Sequence, residues 1–192
     1  VPLYAAFRII KCDRETSFQL WFLSLFVLNF ICAYWALKKW TASNLLSSVG
    51  AYIYAFSIFI LTHMNHAQVF PRFMIPLVLF WFWNWIKNKN IKSFYFLIAG
   101  IVYQFYCGIY LGFFVAYILL FVFIAYLIAY RDKELFKWIK EGKNIFKHTF
   151  TIVIGIILLL PMFIPYMEIS NRFGYRNFEE VLSYIPTWRS YF

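Results

Sequence analysis

The stretch "FYFLIAGIVYQFYCGIYLGFFVAYILLFVFIAYLIAY", residues 94–130, decides the fold. It is apolar almost throughout, and its 37 residues would form a single helix about 55 Å long at about 1.5 Å per residue. The hydrocarbon core of a bilayer is only about 30 Å thick. Gly108 is the natural break, because glycine adopts turn conformations that other residues resist. We therefore predict two short spans here, 94–107 and 109–130.

The composition agrees with a membrane protein. Hydrophobic residues make up 64% of the chain and charged residues 14%, with a mean hydropathy of +0.68. A soluble domain is about half apolar and about a quarter charged. The net charge of +10 would suggest nucleic acid in a soluble protein. Here the charges fall between apolar runs, so membrane topology explains them better and no nucleic-acid partner is expected.

Four further runs have the length and apolar character of a spanning helix, about 20 residues. These runs are 18–37, 45–62, 69–86 and 149–167. The predicted fold is therefore all-α, a polytopic transmembrane helix bundle with about six spans. Asn29 and Asn84 lie within spans, where we expect interhelical hydrogen bonds.

Lysines orient the spans. They form three clusters between the apolar runs: Lys38 and Lys39; Lys87, Lys89 and Lys92; and Lys133, Lys137, Lys140, Lys143 and Lys147. Six crossings place all three clusters on one side, which the positive-inside rule makes cytoplasmic. A single crossing of 94–130 would separate the last two clusters. Both ends of the chain are then predicted to be extracytoplasmic. Residues 168–192 would form the start of an extracytoplasmic segment.

The segment before the last predicted span and the start of the chain each carry a further signal. The segment 131–148 interleaves lysines with apolar residues, so we expect a basic amphipathic helix on the anionic inner leaflet, among membrane lipids.

The chain begins at Val1 and shows no charged region followed by a short apolar run and a cleavage site. We interpret it as an internal piece of a longer protein.

The loop "THMNHAQVFPRF", residues 62–73, is unusually polar for this chain. His63 and His66 are three residues apart and could share a helix face as metal ligands. No third ligand lies nearby in sequence, so they are weak candidates, and a divalent metal stays an open alternative. The other interpretations are hydrogen bonds at the membrane interface and contact with a substrate at the membrane surface.

Arginines mark a second kind of candidate site. Arg72 lies near the start of a span, where it could hold phosphate through two parallel hydrogen bonds or extend to the interface. Arg172, Arg176 and Glu179 follow the last span. Intrahelical ion pairs would explain them, but we prefer recognition of a diphosphate, which suits arginine.

A series of motifs then follows in a recognisable order. They are "GAYIYAFS" (50–57), "HAQVF" (66–70), "IPL" (75–77), "YCGIYLGFF" (106–114), "PMFIPY" (161–166) and "GYRNFEEVLSYIP" (174–186). This order resembles the middle of bacterial multispan glycosyltransferases of the GT-C class, and most of all the YfhO-like membrane proteins and their mannosyltransferase-like relatives. The resemblance covers nearly the whole chain but rests on sparse positions. These are Gly50, Phe56, Ser57, His66, Gln68, Pro76, Tyr110, Pro165, Tyr166, Arg176 and Glu179.

The resemblance implies a multi-pass enzyme of the bacterial cytoplasmic membrane. Such an enzyme would transfer a sugar from a polyprenyl-phosphate-linked donor to a glycan, lipid or protein acceptor of the cell envelope, at the outer membrane face. Its catalytic base would be an acidic residue in the first outer loop, which we expect upstream of Val1. Asp13 and Glu15 do not match that motif, so no catalytic residue is assigned.

The same resemblance implies the substrate-binding residues. The arginines would hold the donor phosphate, and His66 and Gln68 would orient the sugar or the acceptor. The expected set is His66, Gln68, Arg72, Arg172, Arg176 and Glu179.

Other functions remain open at this stage. A transporter or flippase for lipid-linked sugars would use the same arginines, although polar groups near the membrane midplane would then be expected. A polymerase of the O-antigen type would also use outer arginines. A non-catalytic membrane subunit would need neither the arginines nor the histidines.

Overall fold

A computed structural model describes residues 2–57 and 66–174, together with residues 178, 179 and 182. Within these ranges the regular structure is helical and contains no strand, which confirms the all-α prediction. The helices are α1 (Pro2–Ile9), α2 (Arg14–Thr41), α3 (Asn44–Phe56), a 3₁₀ turn (Ala67–Val69), α4 (Met74–Asn88), α5 (Ile91–Cys107), α6 (Ile109–Tyr130), α7 (Lys133–Lys140) and α8 (Gly142–Phe173). The chain divides into two compact units, Val1–Ile157 and Leu158–Phe192.

Several of these helices could cross a membrane. By length and composition, four segments of the described chain qualify: Arg14–Thr41, Ala67–Asn88, Ile109–Tyr130 and Gly142–Phe173. Helix α5 is apolar but shorter, at 17 residues. These segments indicate a membrane protein.

The long apolar run is broken at Gly108. Helix α5 ends at Cys107 and α6 begins at Ile109. The two helices then pack closely, because a Cβ atom at Gly112 would lie 2.9 Å from the Cα atom of Phe105. Residues larger than glycine cannot be placed at that distance without a shift of the backbone, so Gly112 allows α5 and α6 to form a tight hairpin.

The core of the first unit is aromatic and aliphatic. One cluster of buried residues joins α4, α5, α6 and α7, and it includes Val78, Phe82, Trp85, Phe94, Leu97, Leu119 and Leu135. A second cluster joins α2 to the segment before α4 through Trp21, Leu25, Phe70, Phe73 and Cys107. The segment before α4 is therefore packed into the bundle and does not lie loosely on its surface.

Lysine-bearing helix ends meet at one end of this hairpin. The ammonium nitrogen of Lys87 lies 5.2 Å from the centroid of the Tyr130 ring. Asp132 interacts electrostatically with Lys89. The α4–α5 junction and the α6–α7 junction are thus neighbours, as two antiparallel crossings of the run 94–130 require.

Helix boundaries differ from the predicted spans in several places. Helix α2 exceeds the predicted span 18–37 at both ends. Helix α3 ends at Phe56, and the predicted span 45–62 continues from residue 58 outside the described residues. Helix α4 begins at Met74 and not at 69, because side chains from three other helices bind the backbone carbonyls just before it. The segment 131–148 is not one helix: α7 ends at Lys140, and the remainder opens α8. Helix α8 continues beyond 149–167 to Phe173, with Pro161 and Pro165 inside it.

Helix α7 also uses its apolar side differently from the prediction. Leu135 is fully buried, and Trp138 and Ile139 pack partly buried against the same core cluster. These three side chains bind the helix to the bundle. Only Phe136, which is 42% exposed, remains as a large apolar group available to a lipid surface.

Candidate functional site

The segment that leads into α4 is held first by Asn29 of α2. The Asn29 amide nitrogen donates to the carbonyl oxygen of Phe70 at 2.9 Å. Its amide oxygen accepts from the backbone N–H of Arg72 at 3.2 Å. Asn29 is 1% exposed, so both bonds are shielded from water and the single side chain fixes this segment from one side.

Tyr54 and Gln104 hold the same segment from two other helices. The Tyr54 hydroxyl, from α3, donates to the carbonyl oxygen of Arg72 at 2.7 Å. The Gln104 amide, from α5, donates to the carbonyl oxygen of Pro71 at 2.7 Å. Three consecutive carbonyls are therefore paired with side chains, because this segment lies outside a helix and its buried carbonyls need other donors. Neither Tyr54 nor Gln104 is predicted from the sequence.

The Arg72 side chain is fixed by Tyr54 through a ring contact and a hydrogen bond. Its guanidinium carbon lies 4.9 Å from the centroid of the Tyr54 ring, and Nη2 donates to the Tyr54 carbonyl at 2.6 Å. The buried Nε has no hydrogen-bond partner among the residues that the structure describes. Tyr54 is the one titratable side chain with which Arg72 interacts electrostatically in this part of the chain. A guanidinium carries five N–H donors, and among the described residues one of them, on Nη2, is seen to donate.

An apolar groove adjoins this arginine. It has a volume of about 380 Å³ and runs between α2, α3 and α4. Its lining includes Leu37, Trp40, Ile53, Tyr54, Ile75 and Leu79. Tyr54 lines the groove and also stacks on the Arg72 guanidinium, so the cation is next to a groove wall without lining the groove itself.

His66 and Gln68 lie on the same loop, and both are exposed. The His66 carbonyl accepts from the backbone N–H of Val69 at 3.0 Å, closing the 3₁₀ turn. The Gln68 carbonyl oxygen lies 2.9 Å from the position that a Cβ atom at Gly108 would occupy. The α5–α6 turn therefore abuts this loop, and His66 and Gln68 precede Arg72 by six and four residues.

The remaining predicted residues are not brought to Arg72 by any described contact. Arg172 is exposed in the last turn of α8, and Glu179 is exposed further along. Both belong to the second unit, and Arg176 and His63 lie outside the described residues. Within the described ranges no three His, Cys, Asp or Glu side chains form a group that could hold a metal ion.

Of the two asparagines expected to join helices, Asn84 does so directly. Its amide donates to the Ser93 hydroxyl, linking α4 to α5. Asn29 instead binds the loop before α4.

No protein-family model, curated protein or solved structure matches the chain. A function is therefore inferred from the sequence pattern and from the geometry around Arg72.

Proposed function

We propose that the chain is part of a GT-C-type glycosyltransferase of the bacterial cytoplasmic membrane. It would transfer a sugar from a polyprenyl-phosphate-linked donor to an acceptor of the cell envelope at the outer membrane face. The observation that carries this proposal is the Arg72 guanidinium, which stacks on the Tyr54 ring and donates to the Tyr54 carbonyl beside an apolar groove. A lipid phosphate has the complementary form, an anion joined to a hydrocarbon chain.

Arg72 would act on the leaving group. Transfer of the sugar releases a lipid phosphate whose negative charge grows in the transition state. A positioned cation that binds this charge lowers the barrier. Stacking on Tyr54 and the bond to its carbonyl limit the rotation of the guanidinium, so little ordering is needed when the donor binds.

The other residues would complete the site. His66 and Gln68 are exposed beside the arginine and would contact sugar or acceptor hydroxyls. On the sequence pattern alone, Arg172, Arg176 and Glu179 would also take part in substrate binding. The catalytic base would be an acidic residue outside this sequence, and a divalent metal remains an alternative source of charge stabilisation.

A transfer assay on the full-length protein in lipid nanodiscs tests this role. Arg72→Ala should lower sugar transfer at least about tenfold, the loss expected for a charged hydrogen bond of about 1.5–3 kcal/mol. Arg72→Lys should retain part of it, because the charge stays but the paired bonds do not. Arg14→Ala, which removes an exposed arginine at the start of α2, serves as the matched control.

The outcomes separate the candidate functions. Equal transfer by wild type and Arg72→Ala would remove Arg72 from the site. Donor binding that depends on Arg72, with no transfer by the full-length wild type, would instead indicate a transporter or flippase. Donor binding unaffected by Arg72→Ala would leave the non-catalytic subunit as the better description.

A further inference from the structure

We propose a second lipid site, between α5 and α8, that binds an anionic phospholipid of the leaflet at the lysine-bearing end of the bundle. The phosphate would lie against Lys147, and an acyl chain would follow the apolar groove below it. This site is separate from Arg72 and does not depend on the proposed sugar transfer.

Two contacts set the alignment of α5 and α8. The ring centroids of Phe94 and His148 are 4.5 Å apart, near the start of both helices. Further along, a Cβ atom at Gly155 would lie 2.7 Å from a methyl carbon of Ile98. The two helices therefore run parallel and side by side, with their lysine-bearing ends together.

His148 is a structural contact in this alignment. The Trp85 indole N–H donates to His148 Nε2 at 3.0 Å, and His148 Nδ1 lies 2.7 Å from the carbonyl oxygen of Asn144. With Nε2 accepting, Nδ1 donates, so the imidazole is neutral with both nitrogens paired. These bonds hold the first turns of α8 on the bundle. The groove beside them is therefore bounded by helices in fixed positions.

The groove on the flank of these contacts has a volume of about 400 Å³. Its lining comprises Tyr95, Phe146, Lys147, Phe150, Thr151 and Ile154. The Thr151 hydroxyl already donates to the Lys147 carbonyl at 2.7 Å. Apart from the Tyr95 hydroxyl and the Lys147 ammonium, the surface offered to a ligand is therefore apolar.

Charge makes an anionic lipid the favoured occupant. Lys143 precedes Lys147 by four residues, and Lys92 precedes Tyr95 by three, so each lies on the groove side of its helix. Within the described chain no carboxylate forms an ion pair with these lysines. The nearby Glu141 carboxylate accepts instead from the Asn144 amide at 3.0 Å. The Lys147 ammonium lines the groove, and Lys92 and Lys143 lie one helical turn from lining residues. Together they complement a phosphate with an acyl chain.

Native mass spectrometry and thermal unfolding of the full-length protein in detergent test the site. Phosphatidylglycerol should remain bound and raise the unfolding temperature, whereas phosphatidylcholine at the same concentration should do neither. The triple variant Lys92→Gln, Lys143→Gln, Lys147→Gln should weaken phosphatidylglycerol binding at least about tenfold, because it removes the charged hydrogen bonds to the phosphate. The control Lys38→Gln, Lys39→Gln, Lys133→Gln removes the same charge away from the groove and should keep the binding.

A second pair of variants tests the groove itself. Thr151→Trp fills the apolar channel and leaves all three lysines, so it should also reduce phosphatidylglycerol binding about tenfold or more. Thr151→Val keeps the size of the side chain and should bind normally. Equal losses in the lysine control, equal binding of phosphatidylcholine, or full binding by Thr151→Trp would each overturn the site. Because no readout involves sugar transfer, failure here leaves the role of Arg72 unaffected.

Discussion

Asn29 is the residue on which the loop before α4 depends most, because one amide makes two bonds to it. It pairs the carbonyl of Phe70 and the N–H of Arg72 across 41 and 43 residues of sequence. Buried polar groups that lose a partner cost more than the bond itself contributes, since they remain cut off from water. The position of Arg72 is therefore coupled to a side chain in α2.

We expect Asn29→Ala to destabilise the protein by about 1–3 kcal/mol, the cost of leaving buried backbone groups unpaired. Thermal unfolding of the full-length protein in detergent measures the loss. Ser24→Ala, on the same helix, removes a half-buried hydroxyl that, among the described residues, donates to the Leu20 carbonyl of its own helix, and it should stay within about 0.5 kcal/mol of wild type. If both variants unfold together with wild type, Asn29 does not hold the loop.

The sequence identifies some of these residues and not others, for a physical reason. Asn29 and Arg72 are polar groups in apolar surroundings, which is visible locally. Gln104 and Tyr54 both fall inside predicted spans, 94–107 and 45–62, where no local pattern marks them. Their bonds to Pro71 and Arg72 cross 33 and 18 residues of chain, and such pairings depend on how the helices pack.

Among helix boundaries too, some follow from the local sequence and others depend on how the helices pack. A break within residues 94–130 follows from length, because a largely apolar run of 37 residues exceeds one crossing, and glycine marks its place at Gly108. The start of α4 at Met74 does not follow from any local pattern, since the apolar run continues upstream through Phe70 and Val69. There the backbone carbonyls of the loop accept from side chains of other helices, and the segment does not become helical.

Asp132 caps the N-terminus of α7, and the stability of this helix end depends on pH through its carboxyl group. Its carboxylate accepts from the Leu135 backbone N–H at 2.9 Å and from the Tyr126 hydroxyl at 3.0 Å. The Leu135 bond, followed by the Tyr126 bond, lowers the pKa of Asp132 below its ordinary value of 3.8. The folded state thus favours the charged form, so the contribution to stability is complete above 3.8 and is lost as pH falls through the lowered pKa.

We expect α7 to loosen at low pH in wild type. A nitroxide label on Lys140→Cys, with the native cysteines replaced, should gain mobility as the pH drops below 3.8. The added variant Asp132→Asn keeps a helix-capping oxygen without a titrating charge, so its label mobility should be less dependent on pH. Coincident profiles for the two proteins would show that Asp132 does not control the attachment of α7.

At the scale of the whole molecule, the packing of the first unit fits two antiparallel helices across the run 94–130. The α4–α5 and α6–α7 junctions are adjacent through Lys87 and Tyr130. Gly108 and the Gln68 carbonyl are adjacent at the other end of the hairpin. Helix α5, with 17 residues, is about 26 Å long at about 1.5 Å per residue. It is close to the thickness of a hydrocarbon core of about 30 Å, with its ends near the interfaces.

Cysteine labelling tests the proposed six crossings on the full-length protein. After replacement of Cys12, Cys32 and Cys107, which are free thiols, single cysteines are introduced at Gln68, Lys92 and Lys140, all exposed positions. An impermeant maleimide should label Gln68→Cys in intact cells, and Lys92→Cys and Lys140→Cys only after permeabilisation. The two lysine positions flank the hairpin, so an even number of crossings must leave them on one side. Labelling from opposite sides would mean that residues 94–130 cross once, and Arg72 would then lose the link between its loop and the outer membrane face on which the proposed chemistry depends.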